Sequence, residues 1–464
     1  MEYEEIKRVS VMTKIYKIMY IFIVCLFLTG MVSKPAEASG KNSDDVAKLQ
    51  KFVDAQLKKG TKLPKYDVTW DNTHYEWDGN GNLKRIDWRG CNFIRSIKLP
   101  AFNKLETVFI NESPGLKCFD AGVNPSLIRL DIVGGTPAHF KMDKTKSALK
   151  KLSVKKCKGL KVLYADWNSL THIDLSGNKK LESLNLSGCK LRSLNLSNNK
   201  KITDLDVSYN KKLPRVNLKN CTYIKSLDIS GNKFTRLDIS KNIRLEGFNF
   251  NETKFTKIDL RRNKNLKRLS CYNGSLEGNG LLIGKNPNIS VINCRRNKLT
   301  GLDTSGCANL VTLDCSNNSI LNLDLSENKK LVNLNCSKNP LEKLETGSLR
   351  KLMQLNCSNC NIKSLHLKNL KKLARLNCDR NNIKKLNISG LEYLEYLYCR
   401  NNLLKRLDLT KNKHLRELHC ENNKIKKLDI RNCAVKKYLS FGDEFFSHDA
   451  GVVVVKIRKI NRKG

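Results

Sequence analysis

The feature that most constrains the fold is a short string that recurs at nearly constant spacing. Eight cysteines follow one another at a first step of 23 residues and then at six steps of 21, namely Cys271, Cys294, Cys315, Cys336, Cys357, Cys378, Cys399 and Cys420. Each closes a string such as LVTLDC, LVNLNC or LARLNC. Self-similarity at a fixed period of this size is typical of a repeat architecture, in which each unit buries its apolar face only against its neighbours.

A second, related string lies between each pair of cysteine strings. Examples are ILNLDL, IKSLHL and LKRLDL, so that the period of 21 consists of two half-repeats of 10 and 11 residues. Towards the N-terminus the half-repeats continue through LRSLNL, LKKLSV and LETVFI to LKRIDW, which begins at Leu83. The array is therefore predicted to span residues 83–440, on the order of 17 coils.

Each string alternates apolar and polar residues, which predicts a short strand with one face buried. Stacked coils would then form a mainly β solenoid with two parallel sheets of short strands around a narrow apolar interior. An Asn stands three residues after the last buried position, as in CSNN and LSEN. An Asn can turn the chain there and bond neighbouring backbone, which predicts a buried Asn ladder.

The cysteines have two interpretations. In the strand string each takes the place of the third buried Leu, as a small apolar side chain where space is limited. A second set takes the Asn-ladder position: Cys157, Cys189, Cys221, Cys307, Cys360 and Cys433. This pattern favours buried thiols, whereas export would favour disulfides. The motif CSNC resembles a redox pair, but Cys357 and Cys360 each occupy their own place in the repeat.

The strings LVNLNCSKNPLEKLETG, LARLNCDRNNIKKLNISG and LRELHCENNKIKKLDIRN resemble bacterial leucine-rich repeats of the nested 21-residue, cysteine-bearing IRREKO type. More distantly, they are similar to internalin repeats. The resemblance implies an exported or surface-bound scaffold that binds a macromolecule and has no catalysis of its own. Repeats of this kind bind many ligands, so the resemblance does not name one.

The N-terminus predicts export. Ile18–Val32 is an apolar run too short to span a membrane comfortably, and Ala36 and Ala38 provide an Ala-x-Ala cleavage site. Residues 1–38 are therefore assigned to a signal peptide, with Met1 or Met12 as its start. A secreted or cell-surface protein of a bacterium, most simply a Gram-positive one, is expected, with no membrane span after cleavage.

The flanks of the array are predicted to cap it. Residues 39–82 contain DDVAKLQKFVDAQLKKG, an amphipathic helix that would cover the first coil. WDGNGN, at residues 77–82, lacks the later ligands of a calcium loop and predicts a hairpin turn. Residues 441–464 break the repeat and form an irregular C-terminal cap, in which VVVVKI is a closing strand. The coil from Cys271 to Cys294 is two residues too long, which indicates either an insertion loop or repeat decay.

No catalytic, cofactor or metal site is expected. The seven histidines are scattered, and the HLRELHC string would need two further ligands to hold zinc. Nucleophile-elbow and phosphate-loop motifs are absent from the sequence. These observations predict a non-enzymatic, monomeric protein.

The charge balance is strongly basic, with 86 Lys plus Arg against 44 Asp plus Glu and a formal net charge of +42. Such a field attracts polyanions. A lysine-rich proteome is the alternative explanation. Outward positions of the second string form a predicted column for teichoic acid or acidic glycan, consisting of Lys363, Lys384, Lys385, Lys405, Arg406, Lys426 and Lys427. Nucleic acid is not expected, since no aromatic residues interleave with these charges for base stacking.

One coil carries aromatic residues on the cysteine-bearing sheet. LEYLEYLYCR places Tyr396 and Tyr398 outward, next to Glu417 and His419 of the following coil. Exposed tyrosines on a rigid sheet are typical anchors of protein interfaces. Two hypotheses follow: a protein-binding scaffold that uses these four residues, or a wall-associated protein held on anionic polymers by its lysine columns.

Overall fold

The computed structural model describes residues 40–63, 67–69, 71–91, 93, 95–111, 113, 115–134, 149–437 and 446–455. The predicted signal peptide lies outside the described residues. Within them, no helix has the length and apolarity needed to cross a bilayer.

One sheet of 18 strands runs the length of the molecule, and in the described chain all but the first strand are parallel to their neighbours. In spatial order its strands are β1 (Tyr75–Trp77), β2 (Leu83–Asp87), β4 (Thr107–Phe109), β6 (Arg129–Asp131), β8 (Val162–Tyr164), β9 (Ser183–Asn185), β10 (Asp204–Asp206), β11 (Ser226–Asp228), β12 (Gly247–Asn249), β14 (Arg268–Ser270), β17 (Val291–Asn293), β19 (Thr312–Asp314), β20 (Asn333–Asn335), β21 (Gln354–Asn356), β22 (Arg375–Asn377), β23 (Tyr396–Tyr398), β24 (Glu417–His419) and β26 (Phe446–Ser447). We call this the main sheet. Its parallel strands confirm the predicted solenoid.

The second string of each coil forms sheet in four places among the described residues. These small parallel sheets contain β3 (Arg95–Lys98), β5 (Leu116–Asp120) and β7 (Lys151–Ser153); β13 (Ile258–Asp259) and β16 (Leu281–Leu282); β15 (Glu277–Gly278) and β18 (Lys298–Leu299); and β25 (Lys427–Asp429) and β27 (Val453–Val455). Elsewhere neighbouring second strings exchange isolated backbone hydrogen bonds, such as Arg192 N to Thr171 O at 2.8 Å. Among the described residues, the second face is therefore a continuous ladder only near the two ends and at the irregular coil.

The core is a column of apolar side chains in strict register. Leu313, Leu334 and Leu355, the central residues of β19, β20 and β21, are direct partners and are at most 2% exposed. Because side chains alternate along a strand, the first and third residues of each three-residue strand point away from this core. These outward positions make up the surface of the main sheet.

Asparagine side chains pair the backbone at both bends. At one bend, Asn339 Nδ2 donates to Cys315 O (3.0 Å) and Cys336 O (2.9 Å), while its Oδ1 accepts from Ile320 N (3.0 Å). At the other bend, Asn328 Nδ2 donates to Thr304 O (3.0 Å) and Cys307 O (3.1 Å). The predicted Asn ladder is thus confirmed, with one ladder on each side of the core.

Helix α1 (Ser43–Lys58) covers the first coil. It begins at Asn42, whose side chain accepts from the backbone N–H groups of Asp44 and Asp45. Phe52 stacks on Trp88 with ring centroids 5.3 Å apart, and the Asp45 carboxylate accepts from Leu83 N at 3.0 Å. The helix therefore supplies both the apolar cover and the hydrogen-bond acceptor that the first strand of the array lacks.

The remaining flanking features also have a place in the fold. The 77–82 segment is the turn of the antiparallel β1–β2 hairpin, closed by Asp78 N to Asn82 O at 2.9 Å. A 3₁₀ helix (Ala434–Lys437) follows the last complete coil. Beyond it, β26 and β27 pair in parallel with β24 and β25, and β27 is the predicted closing strand. The extra residues of the irregular coil lie on the second face, and the main-sheet pairing of Leu269 with Ile292 is preserved.

Asn339→Ala tests the ladder. We expect it to lower the free energy of unfolding by about 1–3 kcal/mol, because two buried carbonyls and the Ile320 N–H lose their partner. Asn322→Ala, at an exposed position, is the matched control and should change stability by less than about 0.5 kcal/mol. Urea unfolding followed by circular dichroism measures both, and equal midpoints for the two variants would contradict the role of the ladder.

Candidate binding surfaces

The eight cysteines of the strand string form a buried column. All of them are at most 3% exposed, and no disulfide joins the 16 cysteines of the described residues. The column continues the positions of Leu186, Val207 and Ile229 in earlier coils, which are equally buried. The thiols therefore fill the interior, as the buried-thiol interpretation predicts.

Burial also makes these thiols poor nucleophiles. It raises the pKa of Cys294 and Cys315 well above the ordinary value and that of Cys420 to about 12. Cys360 does not pair with Cys357; its Sγ lies 3.3 Å from Cys336 O, the contact that Asn381 makes one coil later with Cys357 O at 3.0 Å. The second cysteine set thus substitutes for ladder asparagines.

The four residues predicted for protein binding lie together on the main sheet, and we call them the tyrosine cluster: Tyr396, Tyr398, Glu417 and His419. Strands β23 and β24 are neighbours, with Tyr396 opposite Glu417 and Tyr398 opposite His419. The Tyr398 and His419 rings stack with centroids 5.3 Å apart and planes 4° apart, and the Tyr398 hydroxyl donates to Glu417 Oε1. Burial, and then this hydrogen bond and the charge of Glu417, raise the pKa of Tyr398 to about 12.

His419 supports the cluster and contributes little surface itself. It lies on the outward side of β24 but is only 8% exposed, because Tyr398 covers one side and β26 the other. Its Nδ1 is 2.6 Å from Ser447 Oγ, and its Nε2 is 3.2 Å from Glu417 Oε1. The accessible part of the cluster is therefore the face of the two tyrosines, with the Arg375 guanidinium 4.3 Å from the centre of the Tyr396 ring.

The sequence of the array matches a known repeat model. The family model described as Leucine Rich repeat matches residues 177–191, 189–209 and 220–241. The chain carries leucine-rich repeats. A search of curated protein sequences gave no significant match.

Solved leucine-rich-repeat structures share the solenoid. The functional domain of InlJ from Listeria monocytogenes, which includes a cysteine ladder, is 26% identical with a TM-score of 0.55, over 75% of this chain and 72% of that chain. A leucine-rich-repeat protein of Leptospira interrogans is 22% identical with a TM-score of 0.54, over 65% and 86%. The ectodomain of the Arabidopsis receptor kinase HAESA, in complex with a peptide hormone ligand, is 17% identical with a TM-score of 0.52, over 89% and 78%. The last two likenesses concern the fold alone.

The predicted lysine column is present at the surface of the second face. All seven residues are exposed, one coil above the next: Lys363, Lys384, Lys385, Lys405, Arg406, Lys426 and Lys427. Lys363 lies 3.7 Å from the Glu342 carboxylate, and the other six form no ion pair within the described part of the chain. The column is therefore a row of solvated cations with little internal compensation.

The binding surfaces predicted from the sequence did not include the part of the main sheet from β8 to β12, whose outward strand positions carry no lysine. From β8 to β12 the charged residues at the outward strand positions, and between each strand and the ladder residue of its bend, are Asp166, Asp204, Asp206, Asp228 and Glu252. The signal that could have found them was the absence of Lys and Arg from these positions in a chain so rich in both.

The thiol column yields a labelling prediction. With iodoacetamide at pH about 9, where ordinary thiols are largely ionised, only Cys118, the half-exposed cysteine of β5, should react rapidly among the described cysteines. Cys118→Ser should remove that label, and denaturation should expose the rest. Rapid native labelling of any of the eight column cysteines, or disulfides detected by non-reducing peptide mapping, would contradict the structural role.

Proposed function

We propose that this chain is an exported leucine-rich-repeat scaffold that binds a protein ligand on the main sheet around the tyrosine cluster. The observation that carries the proposal is the set of ring and hydrogen-bond contacts fixing Tyr396 and Tyr398. Tyr398 is held by the His419 ring and by Glu417, and Tyr396 lies beneath Arg375. Aromatic anchors held rigid before binding lose little side-chain entropy on association.

The surroundings of the cluster suit a protein interface. Arg400 pairs with Asp379 at 3.0 Å and with Glu421 at 3.6 Å, so that charged groups border the two rings at the bend that follows the strands. A central aromatic pair with a polar rim is the usual anatomy of a protein-binding site. The signal-peptide features of residues 1–38 support export, and the peptide-bound HAESA ectodomain supports ligand binding by analogy of fold only.

Tyr396→Ala combined with Tyr398→Ala tests the proposal. The labelled protein is screened against an array of cell-surface and secreted protein ectodomains, at about 150 and 500 mM salt. We expect a ligand whose binding survives the higher salt and loses at least about 2 kcal/mol in the double variant, because hot-spot aromatics contribute that much when truncated.

The chain offers a matched control. Tyr223 is 47% exposed and lies beneath Arg244 at 4.4 Å, almost the geometry of Tyr396 with Arg375, but outside the main sheet. Tyr223→Ala should leave the same ligand bound. Equal binding by wild type and the double variant would refute the cluster as the contact site.

The lysine column supports a second candidate function: retention on an anionic wall polymer such as teichoic acid. Six uncompensated cations stacked on successive coils present charge at a regular spacing of about 4.8 Å. Binding through such a column would release counterions and would therefore weaken steeply with salt.

Reversal of four column residues to Glu (Lys384, Lys385, Lys405 and Arg406) tests this candidate. Retention on purified Gram-positive wall carrying teichoic acid should fall sharply in the variant, and in wild type between about 50 and 500 mM salt, over which the Debye length shrinks about three-fold. Reversal of Lys179, Lys180, Lys200 and Lys201, exposed at the opposite bend, changes net charge equally and should retain binding. Equal loss in both variants would indicate that only net charge matters, and no retention by wild type would reject the candidate.

A further inference from the structure

The main sheet contains an acidic face in a strongly basic protein. We define it as Asp166, Asp204, Asp206, Asp228 and Glu252, on the coils of β8 to β12; Asp166 is only 8% exposed, so that the other four supply the accessible carboxylates. At the outward strand positions of these coils, and between each strand and the ladder residue of its bend, no Lys or Arg occurs; Lys190, Lys211, Lys233 and Lys254 follow directly after that residue. With 86 basic against 44 acidic residues in the chain, a surface this free of cations is not the average composition of the protein.

The carboxylates of this face lack the partners that other carboxylates of the same sheet have. On β2 and β6 an Arg two residues away neutralises the strand Asp, as Arg129 does for Asp131 at 2.8 Å and Arg85 for Asp87 at 2.6 Å, whereas Asp314 of β19 accepts, among the described residues, only from Ser316. In the described chain, none of the five acidic-face residues forms an ion pair. Lys161, at the edge where β8 begins, pairs with Glu182 at 3.5 Å.

Uncompensated like charges face each other across the strands. Asp206 and Asp228 are direct partners of β10 and β11, an arrangement that destabilises a sheet unless a cation intervenes. Burial, and then the negative charges of Asp206 and Asp131, raise the pKa of Asp166 to about 6. Burial, and then the negative charge of Asp228, raise the pKa of Asp206. Burial and like charge thus both disfavour the ionised forms of Asp166 and Asp206.

A flat aromatic edge borders the acidic face. Trp167 and Tyr209 stack with centroids 6.2 Å apart and planes 27° apart. Their rings lie over the next coils, where a Cβ on Gly188 would be 2.5 Å from the Trp167 ring and one on Gly231 would be 2.4 Å from the Tyr209 ring. The two glycines are therefore what allow both rings to lie along the surface.

These two rings also lack a cation that comparable aromatics have. Arg guanidinium groups lie over Tyr164 (Arg129, 5.1 Å), Tyr272 (Arg295, 5.0 Å) and Tyr396 (Arg375, 4.3 Å) on the same sheet. No cation lies over Trp167 or Tyr209 within the described residues, although Tyr209 is 38% exposed. Arginine is therefore the group that lies over comparable rings in other coils of this protein.

We propose that the acidic face and its Trp167–Tyr209 edge bind a basic peptide segment of a partner protein, with its Lys or Arg side chains over the carboxylates and rings. Charge complementarity identifies the occupant. From the Trp167 ring on the coil of β8 to Asp228 on β11, the rings and carboxylates span about 14 Å, and an extended segment with cations at alternate residues places three of them over about 13 Å. The rest of the chain repels a large polycation, which favours a short segment.

The test uses a fluorescein-labelled peptide alternating Arg and Ser, with a Glu–Ser peptide as the charge control, and anisotropy at about 150 mM salt, where the Debye length of about 8 Å limits repulsion from distant lysines. Wild type should bind the Arg peptide and not the Glu peptide. Asp206→Asn with Asp228→Asn should weaken binding roughly tenfold or more. The fold tolerates Asn here, since Asn185 at the same position accepts from Ser187 N at 2.9 Å, as Asp206 does from Ser208 N.

A second variant adds a cation to the acidic face as a side chain of the protein itself. Ser226→Arg places a guanidinium two residues before Asp228, as Arg129 stands before Asp131, and should abolish peptide binding without removing a carboxylate. Asp324→Asn with Asp408→Asn, exposed on the second face, and the Tyr396/Tyr398 double variant should both bind the peptide normally.

Three outcomes would overturn the proposal. They are no binding of the Arg peptide by wild type, equal binding by the Asp206/Asp228 and Asp324/Asp408 variants, and concentration-dependent dimerisation that the Asp206/Asp228 variant abolishes. The last result would make a second copy of this chain the occupant. If the Tyr396/Tyr398 variant loses its protein ligand but still binds the Arg peptide, the result concerns the tyrosine cluster and does not affect this proposal.

Discussion

Each coil of this solenoid has backbone N–H and C=O groups along both of its edges, and these can be buried only against another coil of the same shape. Three-residue strands pair only part of that backbone. The bends are paired by side chains, as Asn339 and Asn328 show, and Cys360 makes the equivalent contact where Asn is missing. At the first coil, α1 supplies Asp45 and Phe52 in place of a preceding coil. The stability and coil spacing of the main sheet both depend on this coil-to-coil pairing.

The same pairing explains the distribution of cysteine. The interior is narrow, and the position after each strand must be filled by a side chain that its neighbours in both directions also tolerate. Apolar side chains of several sizes, including Ala165, Leu186 and Phe250, occupy this column in the earlier coils, and Cys occupies it from residue 271 onwards. Exclusion from water raises the pKa of such thiols, and the cysteine ladder of InlJ is a likeness in structure alone.

Because the register is strict, the sequence also determines which side chains are neighbours on the surface of the main sheet. Residues 21 or 22 positions apart become partners across the sheet, so that Tyr398 meets His419 and Asp206 meets Asp228. In the tyrosine cluster the partners complement each other, and the rings are already held by the chain's own groups. On the acidic face the partners carry the same charge. Within the described residues, no cation pairs with these carboxylates or lies over the two rings. A ligand of the acidic face would therefore have to supply cations, whereas a ligand of the tyrosine cluster would not.

Much of the fold follows from the sequence alone, because a period of 21 with alternating Leu and an Asn at each bend is compatible with few structures other than a parallel solenoid. The helix ahead of the array, the hairpin at 77–82 and the closing strand were predictable for the same local reasons. The grouping of Tyr396, Tyr398, Glu417 and His419 was predictable too, since register is fixed by the repeat. Only the tertiary structure decided that His419 is covered, that the second string is a ladder in a few places, and that Trp167 lies flat over Gly188. These outcomes depend on side-chain packing between coils and on which charges find partners, and neither is encoded in the period of the repeat.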